Sequence, residues 1–183
     1  MRKLTIVENL SLDGIMEAPE KWAFAYQNEE IAAVNQAGMV ASNTLLFGRV
    51  TYTEFASFWP TQTHNEMGMA DYINKVAKVV VSSTLEKADW NNTTILRGNL
   101  AAEINQLKRQ PGGDIVVIGS ALLVQSLMQA NLVDEYQLFV VPVILGVGKQ
   151  LFPAGVAGQK LQLVETKPFS TGVVLMRYQP TTK

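Results

Sequence analysis

Two places in this 183-residue chain set a glycine between an apolar run and a helical pattern. At the first, Gly48 leads into Arg49, Val50 and Thr51. At the second, Ile118, Gly119 and Ser120 lead into Ala121 and Leu122. The chemistry open to such a junction is anion binding. The first N–H groups of a helix have no partner inside it, and the helix dipole puts partial positive charge at the same spot. Two junctions side by side in one sheet could clamp a pyrophosphate from both sides. Arg49 adds a planar fork suited to phosphate oxygens. Thr51-Tyr52-Thr53-Glu54 fits a capping box, which gives Thr51 a structural role whether or not it also binds.

The elements that must hold these groups are legible as patterns. Residues 114–118 form a continuous apolar run, as in a strand buried on both faces. Leu122, Leu123, Leu127 and Met128 then recur at helical spacing, Asn131 ends that helix, and a second buried strand follows over about 134–141. Residues 39–47 read as the strand before Gly48, with a helix after it through residue 55. Residues 3–10 read as the first strand, and its polar pair Glu8-Asn9 sits at the C-terminal end, where ligands bind in open α/β sheets. Asn28 and Asn99 are placed to cap helices, the first with Ile31 and Val34 on its inner side and the second running to about residue 109. Residues 67–75 suit a further helix, and 56–66 a loop holding Trp59, Pro60 and His64. Strands are expected at 76–81, followed by Ser82-Ser83-Thr84, and at 93–96, followed by Arg97-Gly98. Residues 161–165 and 173–178 read as an antiparallel C-terminal pair. The predicted architecture is one α/β domain: a central, mostly parallel sheet with antiparallel C-terminal strands and helices on both faces.

Composition narrows the function. Hydrophobic residues make up 48%, which argues for a packed core. With 15 basic and 16 acidic residues and no long basic run, no nucleic-acid footprint is visible. The absence of cysteine excludes disulfide and thiol chemistry, and the single His64 excludes a multi-histidine metal site; no bound metal is expected. The N-terminal apolar run is broken by Glu8, too early for a signal peptide. The run 138–147 is about half a membrane span and contains Pro142. A soluble, cytoplasmic protein without a membrane partner is expected. Gly146-Val147-Gly148 does not match the six-residue dinucleotide fingerprint, and no glycine-rich segment ends in Lys-Ser/Thr.

The central stretch carries a resemblance. It runs Gly112-Gly113, strand, Gly119-Ser120, helix, Leu132-Val133-Asp134-Glu135, then Pro142 through Gly148 before Leu151-Phe152. This is similar to the reductase half of the riboflavin deaminase-reductase family, which has the dihydrofolate reductase fold. Ser11-Leu12-Asp13-Gly14 and Gly48-Arg49-Val50-Thr51-Tyr52 add two matches upstream in the expected order, so the likeness spans roughly the whole chain.

The resemblance implies a NADPH-dependent reductase that passes hydride to a small pteridine- or pyrimidine-like heterocycle. It implies that Gly14 and Ile15, with Asn9, lie against the nicotinamide end. It places Gly48, Arg49, Val50 and Thr51 on one side of the pyrophosphate and Ile118, Gly119, Ser120, Ala121 and Leu122 on the other. It brings the hydroxyls of Ser82, Ser83 and Thr84 to the adenosine 2′-phosphate. Such domains often pair, so a homodimer is expected, with 138–141 and 151–152 extending a shared surface. Arg97 either approaches the adenine side or is an ordinary solvated arginine. Trp22 either lines a substrate pocket or covers the core. Folate reductases pass a proton through a carboxylate on the first helix; here the candidates are Glu29 and Glu30, neither is secure, and the catalytic residue stays unassigned. His64 could serve as an acid or phosphate ligand, but a lone loop histidine is more often neither. The zinc cysteines of a deaminase half are missing, and no basic set suits a ribityl phosphate, so riboflavin synthesis itself is not expected. The alternative is a nucleotide-binding or structural protein of the same fold without turnover, which would keep the junctions and lack a proton donor.

Overall fold

The computed structural model describes residues 1–63, 65, 68–155 and 158–181. His64 lies outside them, so its reading is left where the sequence put it. Eight strands form one sheet in the order β4-β3-β2-β5-β1-β6-β8-β7. They are β1 (Leu4–Ser11), β2 (Ser42–Gly48), β3 (Ala77–Val81), β4 (Thr93–Leu96), β5 (Asp114–Val117), β6 (Glu135–Val141), β7 (Leu161–Pro168) and β8 (Val174–Pro180). The first six pair in parallel, and β8 runs antiparallel between β6 and β7. The short apolar run of β5 therefore lies between two other strands, as an uninterrupted apolar sequence requires.

Among the described residues five α-helices cover the sheet: α1 (Glu29–Ala41), α2 (Arg49–Phe58), α3 (Met69–Lys75), α4 (Leu100–Arg109) and α5 (Ala121–Gln129). Alternation along β1 assigns them to faces. Leu4, Ile6 and Leu10 join Ile104 of α4 and Leu123, Val124 and Leu127 of α5 in one buried cluster. Val7, on the other face, packs with Ile31 and Val34 of α1, Phe139 and Leu175. A third cluster sets Tyr52 of α2 and Ile73 of α3 against Leu45, Phe47 and Val80.

Both asparagine caps form: the side chain of Asn28 accepts from the Ile31 N–H and that of Asn99 from the Ala102 N–H, each at 3.0 Å. Several details differ from the sequence pattern. Residues 39–41 belong to α1 and not to β2, because the helix runs to Ala41 and closes on Ser42, whose hydroxyl donates to the Gly38 carbonyl at 2.9 Å. Helix α2 begins at Arg49 with Gly48 at its N-cap. Thr51 is thus inside the first turn, and the capping box centred on it does not form. Residues 56–58 extend α2, and Trp59–Thr61 add a 3-10 turn where a loop was expected. Leu122 has helical spacing but is 75% exposed, on the outer side of α5.

Two buried lysines are held by backbone carbonyls and a carboxylate. Lys78, at the start of β3, donates to the carbonyls of Asn74, Val76 and Asn91 and lies over the Trp90 ring; burial pushes its ammonium down to about 8. Lys108 pairs with Asp134, which also accepts the Leu4 N–H. No helix among the described residues is long and apolar enough to cross a membrane.

Candidate functional site

The sheet opens where its two halves meet. Strand β1 pairs with β5 only at Leu4, Ile6 and the residue between them, opposite Ile115 to Val117. Beyond Ile6 it follows β6 alone, as far as Ser11 opposite Val141. The C-terminal part of β1 and the Ile118-Gly119-Ser120 turn therefore diverge. Such a gap at the carboxyl ends of parallel strands is where open α/β sheets take ligands.

Both glycine junctions face this gap and touch each other. The Gly48 N–H donates to the Gly119 carbonyl at 3.4 Å. A methyl built on Gly48 would overlap the Ser120 hydroxyl and sit 3.2 Å from the Ser120 Cβ. A methyl built on Gly119 would sit 2.7 Å from the Thr51 Oγ1, and Gly119 has φ +57°, so a side chain is opposed twice there. The Gly119–Ser120 peptide is cis. Helices α2 and α5 have no side-chain cap, whereas α1 and α4 are capped by asparagines. The first-turn N–H groups of α2 and α5 are thus left for another acceptor. This cradle fits a pyrophosphate: glycine where the backbone must be approached, two dipole ends, and uncapped donors converging on one place.

One side chain crosses the gap. Glu8 of β1 is 8% exposed, and its Oε1 accepts the Gly119 N–H at 2.6 Å. Burial, with no cationic partner among the described residues, pushes its carboxyl up to about 8, against a smaller opposing effect of that hydrogen bond. The strand pattern contained a signal for it. Leu4, Ile6, Glu8 and Leu10 share one face, so a carboxylate stands in a row otherwise apolar.

The Ser11-Leu12-Asp13-Gly14 turn is fixed beside the gap. The Asp13 carboxylate accepts the Ser11 hydroxyl at 2.6 Å and the N–H groups of Leu145 at 3.2 Å and Gly146 at 2.7 Å. These bonds hold Asp13 down to about 2. Gly14 has φ +81° and its carbonyl accepts the Leu151 N–H; Ile15 is buried and bridges to Gln150. Asn9, half-buried on the α1 face of β1, is next to Glu8 on the same stretch.

The remaining expected ligands divide. Arg49 and Val50 are exposed at the start of α2, and no ion pair among the described residues engages Arg49. Ile118 is half-buried beside the cradle and Ala121 is buried in the first turn of α5. Leu122 points outward, so only its backbone can serve the cradle. Ser82 is buried, and its hydroxyl accepts the N–H groups of Thr84 and Leu85, which makes it a turn former; Ser83 and Thr84 are exposed. One Arg97 nitrogen donates to the carbonyls of Leu85 and Glu86, so this arginine braces the connection between β3 and β4. Trp22 is half-buried against the α1 cluster and donates to the Glu17 carbonyl at 2.9 Å.

Neither helix carboxylate is buried. Glu30 accepts from the Ser170 hydroxyl and N–H and from Asn28, which hold it below the usual carboxylate range; Glu29 is exposed. Of the surface expected for pairing, Leu138, Phe139, Val141 and Leu151 are buried within the chain, whereas Phe152 is 41% exposed. A cavity of about 610 Å³ lined by Tyr52, Ala56, Leu85 and Trp90 includes none of the cradle residues.

Comparison with known proteins agrees with this fold. Residues 2–175 match the model of the RibD C-terminal domain family. The chain is 33% identical over 138 residues to the uncharacterized protein YyaP of Bacillus subtilis (strain 168), covering 74% of this chain and 73% of that one. It superposes on a Shewanella sp. PV-4 protein provisionally assigned to riboflavin biosynthesis, with TM-score 0.79 and 17% identity over 98% of this chain and 99% of the other. It superposes on the dihydrofolate reductase of Enterococcus faecalis, solved with NADP(H), with TM-score 0.61 and 15% identity over 98% and 97% of the two chains. The family match and the superpositions agree with the strand order: this chain belongs to the RibD C-terminal domain family and has a dihydrofolate reductase-like, reductase-type fold.

Proposed function

We propose that the protein is a NADPH-dependent oxidoreductase that reduces a small pteridine- or pyrimidine-like heterocycle. The observation that carries this reading is the pair of uncapped helix N-termini meeting across Gly48, Thr51, Gly119 and Ser120 at the edge of the β1–β5 gap. The N–H groups of α2 and α5 bind the pyrophosphate. Arg49, with the exposed hydroxyls of Ser83 and Thr84, takes the 2′-phosphate. Asn9, Gly14 and Ile15 flank the nicotinamide and exclude water from it. NADPH supplies the hydride; the chain supplies orientation and electrostatics. Leu12, Ile144 and Val147 are exposed apolar residues on the loops that follow β1 and β6, at the cradle end of the sheet. They suit a flat, uncharged ring better than a phosphorylated sugar. A homodimer belongs to the same proposal. Its interface moves to β7, an exposed edge strand bearing Leu163 and Val164, since an unpaired edge invites a second strand.

The test is a titration with NADPH followed by incubation with a panel of pterins, flavins and quinones. Saturable binding and oxidation of NADPH with one class of acceptor are expected. Tight binding without oxidation across the panel would leave a nucleotide-binding protein of this fold.

A further inference from the structure

Glu8 has no part in the roles assigned above, yet it occupies the centre of the gap. Apolar side chains flank it. On β1, Ile6 and Leu10 share its face, and Leu138 of β6 is its register partner. Ala121 and Val124 of α5 belong to the same buried cluster. No lysine, arginine or histidine forms a salt bridge with it among the described residues. Its partner is the Gly119 N–H, one of the backbone groups at the mouth of α5.

A carboxylate and a diphosphate at the same helix end oppose each other, because like charges in a poorly hydrated site repel strongly. We propose that Glu8 is a proton-linked positioning residue of the cofactor cradle: it holds the Gly119 turn in place and takes up a proton when the diphosphate of the cofactor binds. The proposal rests on the NADPH reading.

The direction follows from linkage. With the free carboxyl titrating at about 8, Glu8 is neutral near pH 7 whether or not the site is filled, and no proton is exchanged there. At higher pH it is ionised in the free protein, and the incoming phosphates favour its neutral form. Affinity then falls as pH rises, by up to about tenfold per pH unit, until the titration point of the complex is reached. Lys78 titrates in the same range but lies at the other end of β3, under Trp90, so a Glu8 substitution separates the two.

The experiment is isothermal calorimetry of NADPH binding in two buffers of different ionisation enthalpy. Uptake of about half to one proton per cofactor is expected near pH 9, and almost none near pH 6.5. In Glu8→Gln the uptake and the pH slope disappear, whatever the affinity at neutral pH. Glutamine keeps the acceptor for the Gly119 N–H. As a readout without a variant, carbon NMR of the wild-type carboxyls should show one glutamate titrating near pH 8 that moves upward on adding NADPH. Binding without proton uptake near pH 9, or equal uptake in Glu8→Gln, overturns the proton link alone. Failure of NADPH to bind at neutral pH removes the cofactor reading and this inference with it.

Discussion

The contact between the two junctions can be tested by adding one methyl group. Gly48 has φ −75°, so alanine meets no backbone strain there. What it meets is Ser120. The new Cβ overlaps the Ser120 hydroxyl and lies 3.2 Å from its Cβ and 3.4 Å from its backbone nitrogen. The hydroxyl can rotate away, but the Cβ and nitrogen cannot, so the start of α5 must shift. Overpacking of this kind costs about 1–3 kcal/mol. For a domain of this size, each 1 kcal/mol lowers Tm by about 2–4 °C. Ser120→Ala alone should cost less than about 1 kcal/mol, because its hydroxyl makes no cap hydrogen bond. In the double variant the overlapping atom is gone, so part of the loss should return, with a coupling of about 0.5–2 kcal/mol. Thermal unfolding of the four proteins gives the cycle. NADPH affinity should follow it, with Gly48→Ala weakening binding about tenfold or more as the donors of α2 and α5 are separated. A Gly48→Ala protein with unchanged Tm and affinity would mean that the junctions are not in contact. Strictly additive losses would mean that the hydroxyl turns away and that the Ser120 Cβ and backbone nitrogen alone carry the cost.

Three further outcomes are expected. Wild-type protein should bind NADPH at least about tenfold tighter than NADH, through a charged hydrogen bond of about 1.5–3 kcal/mol, and Arg49→Ala should lose most of that preference; equal dissociation constants in the wild type would remove the 2′-phosphate site. Glu8 has a folded-state pKa raised from 4.5 to about 8, so its contribution to stability is complete below pH 4.5 and is lost as pH rises through about 8. Glu8→Gln should therefore gain on wild type across that window by on the order of 5 kcal/mol, read from denaturant unfolding, and parallel profiles would count against the buried carboxyl. Light scattering should give about 40 kDa, twice the 20.1 kDa chain, and Leu163→Lys at the β7 edge should halve it; a wild-type monomer would dispose of the dimer.

Much of this was legible in the residues. The caps at Asn28 and Asn99 are local: a side chain three residues from its target N–H is visible in sequence. The buried run of β5 and both glycine junctions are local too. What stayed hidden depends on partners far along the chain. Glu8 meets Gly119 only because β1 lies beside β5 in this register. Ser82 reads as a phosphate ligand and Arg97 as a group that could reach the adenine side, but both bond to the backbone of the β3–β4 connection. The end of α1 is ambiguous because Met39, Val40 and Ala41 are apolar enough for either state, and only the Gly38 carbonyl meeting Ser42 decides. The capping box at Thr51 fails because Gly48 starts the helix earlier.

The narrow join between β1 and β5 has a consequence for how the molecule is made. Strands β2, β3, β4 and β5 are neighbours in sequence and together form one half of the sheet. The other half is β1 with β6, β8 and β7, so Thr5 must find Glu135. On a ribosome β2 to β5 can complete their half while β1, translated before them, has no β6 to pair with. Loop closure over that distance is the slow kind of contact. Pulse-labelled amide exchange during refolding should then show Leu45, Leu46 and Val79 protected before Val7 and Asn9, and simultaneous protection would refute the order. The earliest of these eight strands in the chain is among the last to be seated, and during that interval its apolar face is what a chaperone would have to shield.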